Sequence, residues 1–111
     1  MTQKFGVGIY RKGKVSGTLK AQWFLSTADK NVICTGHAVC IDDGVEDEYH
    51  GDYVVTYHDA DGEDEATFDL EIRKQEMIYK LKWLLDDKIV SRGVGFETKE
   101  GLILSYINEE E

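Results

Sequence analysis

The feature that most constrains this chain is the alternation of apolar and polar side chains in segment after segment. The stretch TFDLEIR at 67–73 places Phe68, Leu70 and Ile72 on one face and polar residues on the other. Successive side chains of a β-strand point to opposite sides, so a period of two indicates a strand with one buried face. Because the same alternation recurs along the chain, the sequence predicts an all-β fold.

Short polar turns separate the alternating segments. Glycine occurs in the turns at 12–14, 42–44, 59–62 and 99–101, where a tight hairpin needs a residue that accepts a positive φ. The segments between the turns predict eight strands, at about 4–11, 14–26, 31–41, 49–58, 66–74, 77–85, 88–98 and 101–108. Because every connection is short, strands adjacent in sequence should pair antiparallel as a single meander.

One segment, 71–88, is also compatible with a helix. It is rich in Lys, Glu, Gln, Met and Leu, and several of its apolar residues would line one helical face. Alternation within the segment favours a strand instead. The apolar residues that share one face of that strand are Met77, Tyr79, Leu81, Trp83 and Leu85.

The length of 111 residues predicts a single domain over 1–111, with residues 109–111 as an acidic tail. An open sheet of eight strands would expose two edges, and closure into a barrel removes them. Eight strands also give an interior that either fills with side chains or holds one small ligand. We therefore expect a closed or partly closed antiparallel barrel.

The charge of the chain argues against two classes of partner. With 22 acidic and 13 basic residues, the formal net charge is -9. This charge repels nucleic-acid backbones and anionic lipid headgroups, so we expect neither nucleic acid nor a membrane as partner. No basic leader followed by an apolar run is visible, which predicts a cytoplasmic protein, or a secreted one whose leader has been removed.

The sequence offers little for catalysis or metal binding. It contains no nucleophile elbow and no HxH or CxxC spacing, so we expect no catalytic residue, no metal and no cofactor. The acidic segments 42–48 and 59–65 have oxygen ligands for calcium, but the spacing of the second differs from that of an EF-hand, which favours solvated turns. Cys34 and Cys40 would lie about 20 Å apart on one straight strand, too far for a disulfide.

A glycine-pair motif recurs along the chain. It reads GVGI at 6–9 and GVGF at 93–96, with a looser copy, CTGHAV, at 34–39. Glycine inside a strand usually marks a bend or the close approach of another group. The motif has neither the third glycine nor the following helix of a phosphate-binding loop, so it does not indicate a nucleotide site.

Six short motifs follow one another over residues 49–107. They are GDYVVTY at 51–57, DG at 61–62, FDLEI at 68–72, YKLKW at 79–83, GVG at 93–95 and GL at 101–102. In this order they resemble a family of small bacterial proteins with no established activity, whose members carry export signals. The resemblance implies a small meander barrel of the avidin and lipocalin (calycin-like) type, although the ligand-contacting residues of avidin itself have no clear equivalents.

Aromatic side chains on the inward faces of the predicted strands are the most suggestive functional feature. They either fill the core or surround a cavity and stack on a small apolar or planar ligand. The candidate ligand-binding residues are Trp23, Tyr53, Tyr57, Tyr79, Trp83 and Tyr106.

Three functional hypotheses remain open. The leading one is a non-enzymatic barrel that binds a small apolar or aromatic ligand in its interior, which requires a cavity of roughly 300 Å³. The second is a homo-oligomeric interaction or adaptor domain that binds a basic partner through its acidic surface. The third is a barrel enzyme of cyclase or isomerase type.

Overall fold

A computed structural model shows eight antiparallel strands that close into a barrel, and it describes residues 5–25, 33–41, 49–58 and 61–108. Each strand pairs with the next in sequence, and β8 pairs with β1 to complete the closure. The strands are β1 (Phe5–Lys12), β2 (Thr18–Leu25), β3 (Cys34–Cys40), β4 (Gly51–His58), β5 (Asp64–Gln75), β6 (Ile78–Leu85), β7 (Lys88–Thr98) and β8 (Gly101–Asn108). The predicted all-β fold and eight-strand meander are confirmed.

The segment that was compatible with a helix forms the end of β5, all of β6 and the turns that flank it. One of those turns is the pair Asp86 and Asp87, both with positive φ, which is the backbone geometry of a type I′ hairpin. In the described part of the chain there is no helix, and hence none that is long and apolar enough to cross a membrane.

Two of the five residues predicted to share the inner face of β6 lie elsewhere. Met77 belongs to the turn before the strand and is 86% exposed. Leu85 is 48% exposed, because the pairing of β6 with β7 shifts register between Trp83 and Leu84. A bulge of this kind reverses the face on which the following residues lie. The prediction was therefore right for Tyr79, Leu81 and Trp83 and wrong for the two ends.

The middle of the barrel is packed solid. Its inner face carries one apolar side chain after another from neighbouring strands, as the alternation predicts. The largest of the side chains with less than 2% exposure are Val55, Leu70, Ile72, Tyr79, Leu81 and Leu102. They belong to one buried apolar cluster inside the barrel.

The two ends differ in the chain segments that meet there. The hairpins of β1 with β2, β3 with β4, β5 with β6 and β7 with β8 turn at one end, which we call the closed end. The other, the open end, holds the start of β1 and the finish of β8. Cys34 and Cys40 lie at opposite ends of β3 and are thiols, not a disulfide.

Candidate functional site

The open end of the barrel contains a cavity of about 200 Å³, which we call the aromatic cavity. It lies above the solid middle layer, and its floor includes Leu104. Aromatic rings project into it from six of the strands. The aromatic residues that line it are Tyr10, Trp23, Tyr57, Phe68, Trp83 and Tyr106.

Glycines on the inner wall leave space that the aromatic rings occupy. Gly6 pairs with Tyr106, and a Cβ atom at Gly6 would lie 2.1 Å from Cζ of that ring. Gly36 pairs with Tyr57 in the same way, and a Cβ atom there would lie 2.8 Å from Cδ1. The rings therefore lie against bare backbone at the wall, in space that any other residue would occupy. This is the close approach that the repeated glycine motif predicts.

Contacts between neighbouring rings hold the lining in one arrangement. Trp23 meets Tyr57 edge to face with ring centroids 5.5 Å apart, and Trp83 lies 5.6 Å from Tyr106. Trp23 is fixed further by its Nε1–H, which donates to the backbone oxygen of Thr35 at 2.8 Å. Edge and tilted contacts of this kind are the favoured aromatic geometries. The cavity walls are thus ordered before any ligand enters.

A chain of hydrogen bonds crosses the inner part of the cavity. Nε1–H of Trp83 donates to the hydroxyl oxygen of Tyr57 at 2.5 Å. The hydroxyl groups of Tyr57 and Tyr10 are hydrogen-bonded to each other, also at 2.5 Å. We call Trp83, Tyr57 and Tyr10 the indole–phenol chain. It places hydrogen-bonding groups in the inner part of the cavity.

Both phenols of the indole–phenol chain are neutral over the ordinary pH range. Burial raises the pKa of Tyr10 above its usual value, because the phenolate would lose its hydration inside the barrel. Burial likewise raises the pKa of Tyr57, and the neighbouring hydroxyl of Tyr10 adds to that shift. The groups therefore act as hydrogen-bond donors and acceptors and not as bases.

The structure divides the predicted ligand-binding residues between the two ends. Trp23, Tyr57, Trp83 and Tyr106 line the aromatic cavity. Tyr53 and Tyr79 lie at the closed end, away from it. The prediction grouped all six because inward parity fixes the face of a strand, whereas the height of a residue along the barrel depends on strand register.

At the closed end, the described rings pack against one another and against neighbouring polar groups. Tyr49 covers this end, its ring centroid 6.2 Å from that of Tyr79 in an edge-to-face contact. The hydroxyl of Tyr53 donates to the backbone oxygen of Tyr49 at 3.0 Å, and that of Tyr79 donates to a carboxylate oxygen of Glu97 at 2.9 Å. Tyr53 and Tyr79 thus have the core-filling role that was the alternative to ligand binding.

Sequence reasoning overlooked one residue of the cavity that carries chemistry, Tyr10. It shares a face with Gly6 and Gly8, four and two residues before it, so the alternation of β1 contains the signal. Ser91 and Asn108 were also missed. They face each other at the mouth, where Oγ of Ser91 donates to Oδ1 of Asn108 at 2.7 Å.

Among the described residues, no group of three or more His, Cys, Asp or Glu side chains could hold a metal ion. Of the acidic segments considered for calcium, 42–48 lies outside the described residues, and so do the first two residues of 59–65. The described lining of the aromatic cavity likewise includes no carboxylate, imidazole or thiol. What the cavity offers a ligand is ring surface, three phenol groups, Gln22 and the polar pair at its mouth.

Comparison of the chain with models of protein families, with curated proteins and with solved structures finds no match of any of the three kinds. The resemblance to calycin-like barrels therefore stays a prediction.

Proposed function

We propose that this protein is a non-enzymatic barrel that binds a small, planar, largely apolar molecule in the aromatic cavity. The observation that carries the proposal is the hollow at the open end, which exists because glycines let the rings lie back against the wall. A chain that needed only a solid core would gain stability by filling this space. The hollow is therefore best explained by an occupant.

The volume of the cavity sets the size of that occupant. At about 200 Å³ it is smaller than the roughly 300 Å³ required for a drug-sized ligand, so the sequence-based expectation of size is too large. It exceeds the ~150 Å³ of an engineered apolar cavity that takes up benzene. The proposed ligand is accordingly a molecule built on a single ring.

The chemistry of the lining favours binding over catalysis. A cyclase or isomerase needs a group that takes up or releases a proton near the pH at which it works. Two of the phenols in the described lining, Tyr10 and Tyr57, have a pKa raised by burial, so they keep their protons. This supports the binding barrel over the enzyme hypothesis.

A cavity-filling variant tests the proposal. Ala66→Leu adds three carbon atoms inside the aromatic cavity, and we expect it to weaken the binding of acetophenone at least about tenfold because the space is taken. Thr67→Leu makes a comparable change on the outer face of the same strand and should bind like the wild type. Tryptophan fluorescence titration provides the affinities. Equal affinity of Ala66→Leu and the wild type for acetophenone would contradict the proposal.

A second candidate function, self-association, is favoured by the outer surface of β1, β8 and β7. Ile9 pairs with Ile103, and Ile103 pairs with Phe96, so these three side chains form one row across the barrel. Phe96 is 54% exposed and Ile103 is 40% exposed. The row carries no charge, so two copies related by a two-fold axis could meet there without like-charge repulsion.

Sedimentation velocity distinguishes this candidate. If two copies meet on the row, Phe96→Lys should convert a dimer to a monomer, because it buries a charge at the contact. Val39→Lys, on the exposed side of β3, is the matched control and should leave the dimer intact. A monomeric wild type removes this candidate and leaves the binding barrel untouched.

A further inference from the structure

The indole–phenol chain contains more donor hydrogens than it uses. Three hydrogens are available, one on Nε1 of Trp83 and one on each of the hydroxyl groups of Tyr57 and Tyr10. Two hydrogen bonds join the three groups, from Trp83 to Tyr57 and between the two phenols. One hydroxyl hydrogen therefore has no acceptor within the chain.

The identity of that hydrogen depends on the direction of the phenol–phenol bond, but its existence does not. If Tyr10 donates to Tyr57, the hydrogen of Tyr57 is left over. If Tyr57 donates to Tyr10, the hydrogen of Tyr10 is left over. In both cases it belongs to a residue of the cavity lining, and among the described residues neither hydroxyl donates to a further side chain or backbone oxygen.

A ligand that enters the cavity either accepts this hydrogen or leaves it without a hydrogen-bond acceptor. Both phenols are neutral because burial raises their pKa, so the hydrogen is present across the ordinary pH range. A water molecule can accept it while the cavity is empty, but a hydrocarbon that displaces the water leaves a buried donor unsatisfied. A ligand that brings its own acceptor replaces the hydrogen bond that the water made.

We propose that the aromatic cavity is specific for a neutral single-ring molecule that carries a hydrogen-bond acceptor, such as a carbonyl oxygen, facing the hydroxyls of Tyr10 and Tyr57. This ligand class rests on the binding function proposed above. The ring packs among the aromatic side chains, and the acceptor faces the hydroxyl groups of the indole–phenol chain. A carboxylate is disfavoured, because the described lining includes no cationic side chain and the net charge is -9.

The test compares three ligands of similar size. Acetophenone carries a carbonyl oxygen, α-methylstyrene replaces that oxygen with a CH₂ group, and benzoate carries a negative charge. We expect acetophenone to bind wild-type protein about tenfold more tightly than α-methylstyrene, which corresponds to about 1.4 kcal/mol. Benzoate should bind more weakly than both. Calorimetric titration at neutral pH gives the affinities.

A spectroscopic readout tests where the acceptor lies. The infrared carbonyl band of bound acetophenone should appear at lower wavenumber than in hexane, because a phenol donates to its oxygen. The variant Ser91→Ala/Asn108→Leu removes the polar pair at the mouth and should keep both the band position and the ratio of the two affinities. Loss of the ratio in this variant would overturn the assignment to the phenols.

The outcomes separate this inference from the function on which it rests. If acetophenone and α-methylstyrene bind with equal affinity, the acceptor class is wrong and the binding barrel stands. If none of the three ligands binds, the proposed binding function is wrong, and the proposed class of acceptor-bearing ligands is wrong as well.

Discussion

The two ends of this barrel are built from the same kind of residue and differ in what they enclose. At the closed end, Tyr49 and Tyr79 meet edge to face and leave no hollow between them. At the open end, the rings of Tyr57 and Tyr106 lie against Gly36 and Gly6, and a cavity of about 200 Å³ remains between the walls.

The difference shows that aromatic content alone does not decide whether a small barrel is solid. A ring opposite a side chain is forced toward the barrel axis, where it meets other rings and fills the core. A ring opposite a glycine can lie along the wall and leave the axis clear. Pairing with a glycine is not sufficient, because Tyr79 at the closed end pairs with Gly95. At the open end the ring itself occupies the space over the glycine, as at Gly6 and Gly36, and the following variants test the role of these two wall glycines.

The largest expected effect is the loss of a ring at the closed end. Tyr79 is 1% exposed, so Tyr79→Ala should lower the free energy of unfolding by about 3–5 kcal/mol. Tyr106→Ala, at the open end, removes a half-buried ring that borders a cavity and should lower it by less than about 2 kcal/mol. Urea denaturation of both variants gives the comparison. Equal losses would mean that the open end is packed as tightly as the closed end.

The next effect concerns the wall glycines. Gly6→Ala places a Cβ atom where the ring of Tyr106 lies, so the ring must move into the aromatic cavity. We expect a loss of about 1–3 kcal/mol in stability, as for other overpacked sites, and at least about tenfold weaker acetophenone binding. Denaturation and fluorescence titration measure the two.

The matched control for that variant removes the ring that is displaced. In Gly6→Ala/Tyr106→Ala the added methyl group has space, so the two changes should be less damaging together than the sum of the single variants. Strict additivity would show that Gly6 has no role in placing the ring.

The response to alkaline pH should depend on the phenols at the open end. The pKa values of Tyr10 and Tyr57 are raised in the folded protein, so the unfolded chain ionises first as the pH passes about 10. Stability is therefore complete below that pH and decreases above it, by at most about 1.4 kcal/mol per pH unit for each group.

The variant Tyr57→Phe tests this assignment because it removes one of the two groups. Its free energy of unfolding should fall less steeply between pH 10 and pH 11 than that of the wild type. Burial also raises the pKa of Tyr49, at the closed end, so part of the decrease in stability should remain in Tyr57→Phe. A slope unchanged by Tyr57→Phe would show that Tyr57 ionises with an ordinary pKa in the folded state.

The smallest effect is expected at the rim of the closed end. Nζ of Lys12 lies 5.4 Å from the ring centroid of Tyr49, a cation–π contact at an exposed site. Lys12→Met should lower stability by about 0.5–1 kcal/mol. Lys14→Met, in the adjacent turn, is the control and should have no measurable effect. A larger loss in the control would contradict the assignment.

Much of the fold could be predicted because alternation is a direct consequence of strand geometry. Tyr79, Leu81 and Trp83 lie inward as the period of two requires. Met77 and Leu85 do not, since a turn and a bulge interrupt that period, and neither leaves a clear mark in the sequence. Closure was expected from the edges that an open sheet would expose.

The candidate site was less predictable because it depends on register between strands distant in sequence. Parity places Tyr53 and Tyr57 on the same inner face, yet one lies at the closed end and the other in the cavity. The pairing of β1 with β8 brings Gly6 opposite Tyr106, and no pattern in either strand alone specifies that pairing. Tyr10 was missed for a different reason. The residues that share its face, Gly6 and Gly8, are not apolar side chains, so they do not mark that face as buried.

The most direct test of binding at the open end uses the indole N–H signals of the two tryptophans in the chain. Both Trp23 and Trp83 line the aromatic cavity, so titration of ¹⁵N-labelled protein with acetophenone should shift both indole signals and reach saturation. The backbone amide signals of Tyr49 and Tyr79, at the closed end, should not move. Indole signals that stay in place, or shifts of equal size at both ends, would contradict the account.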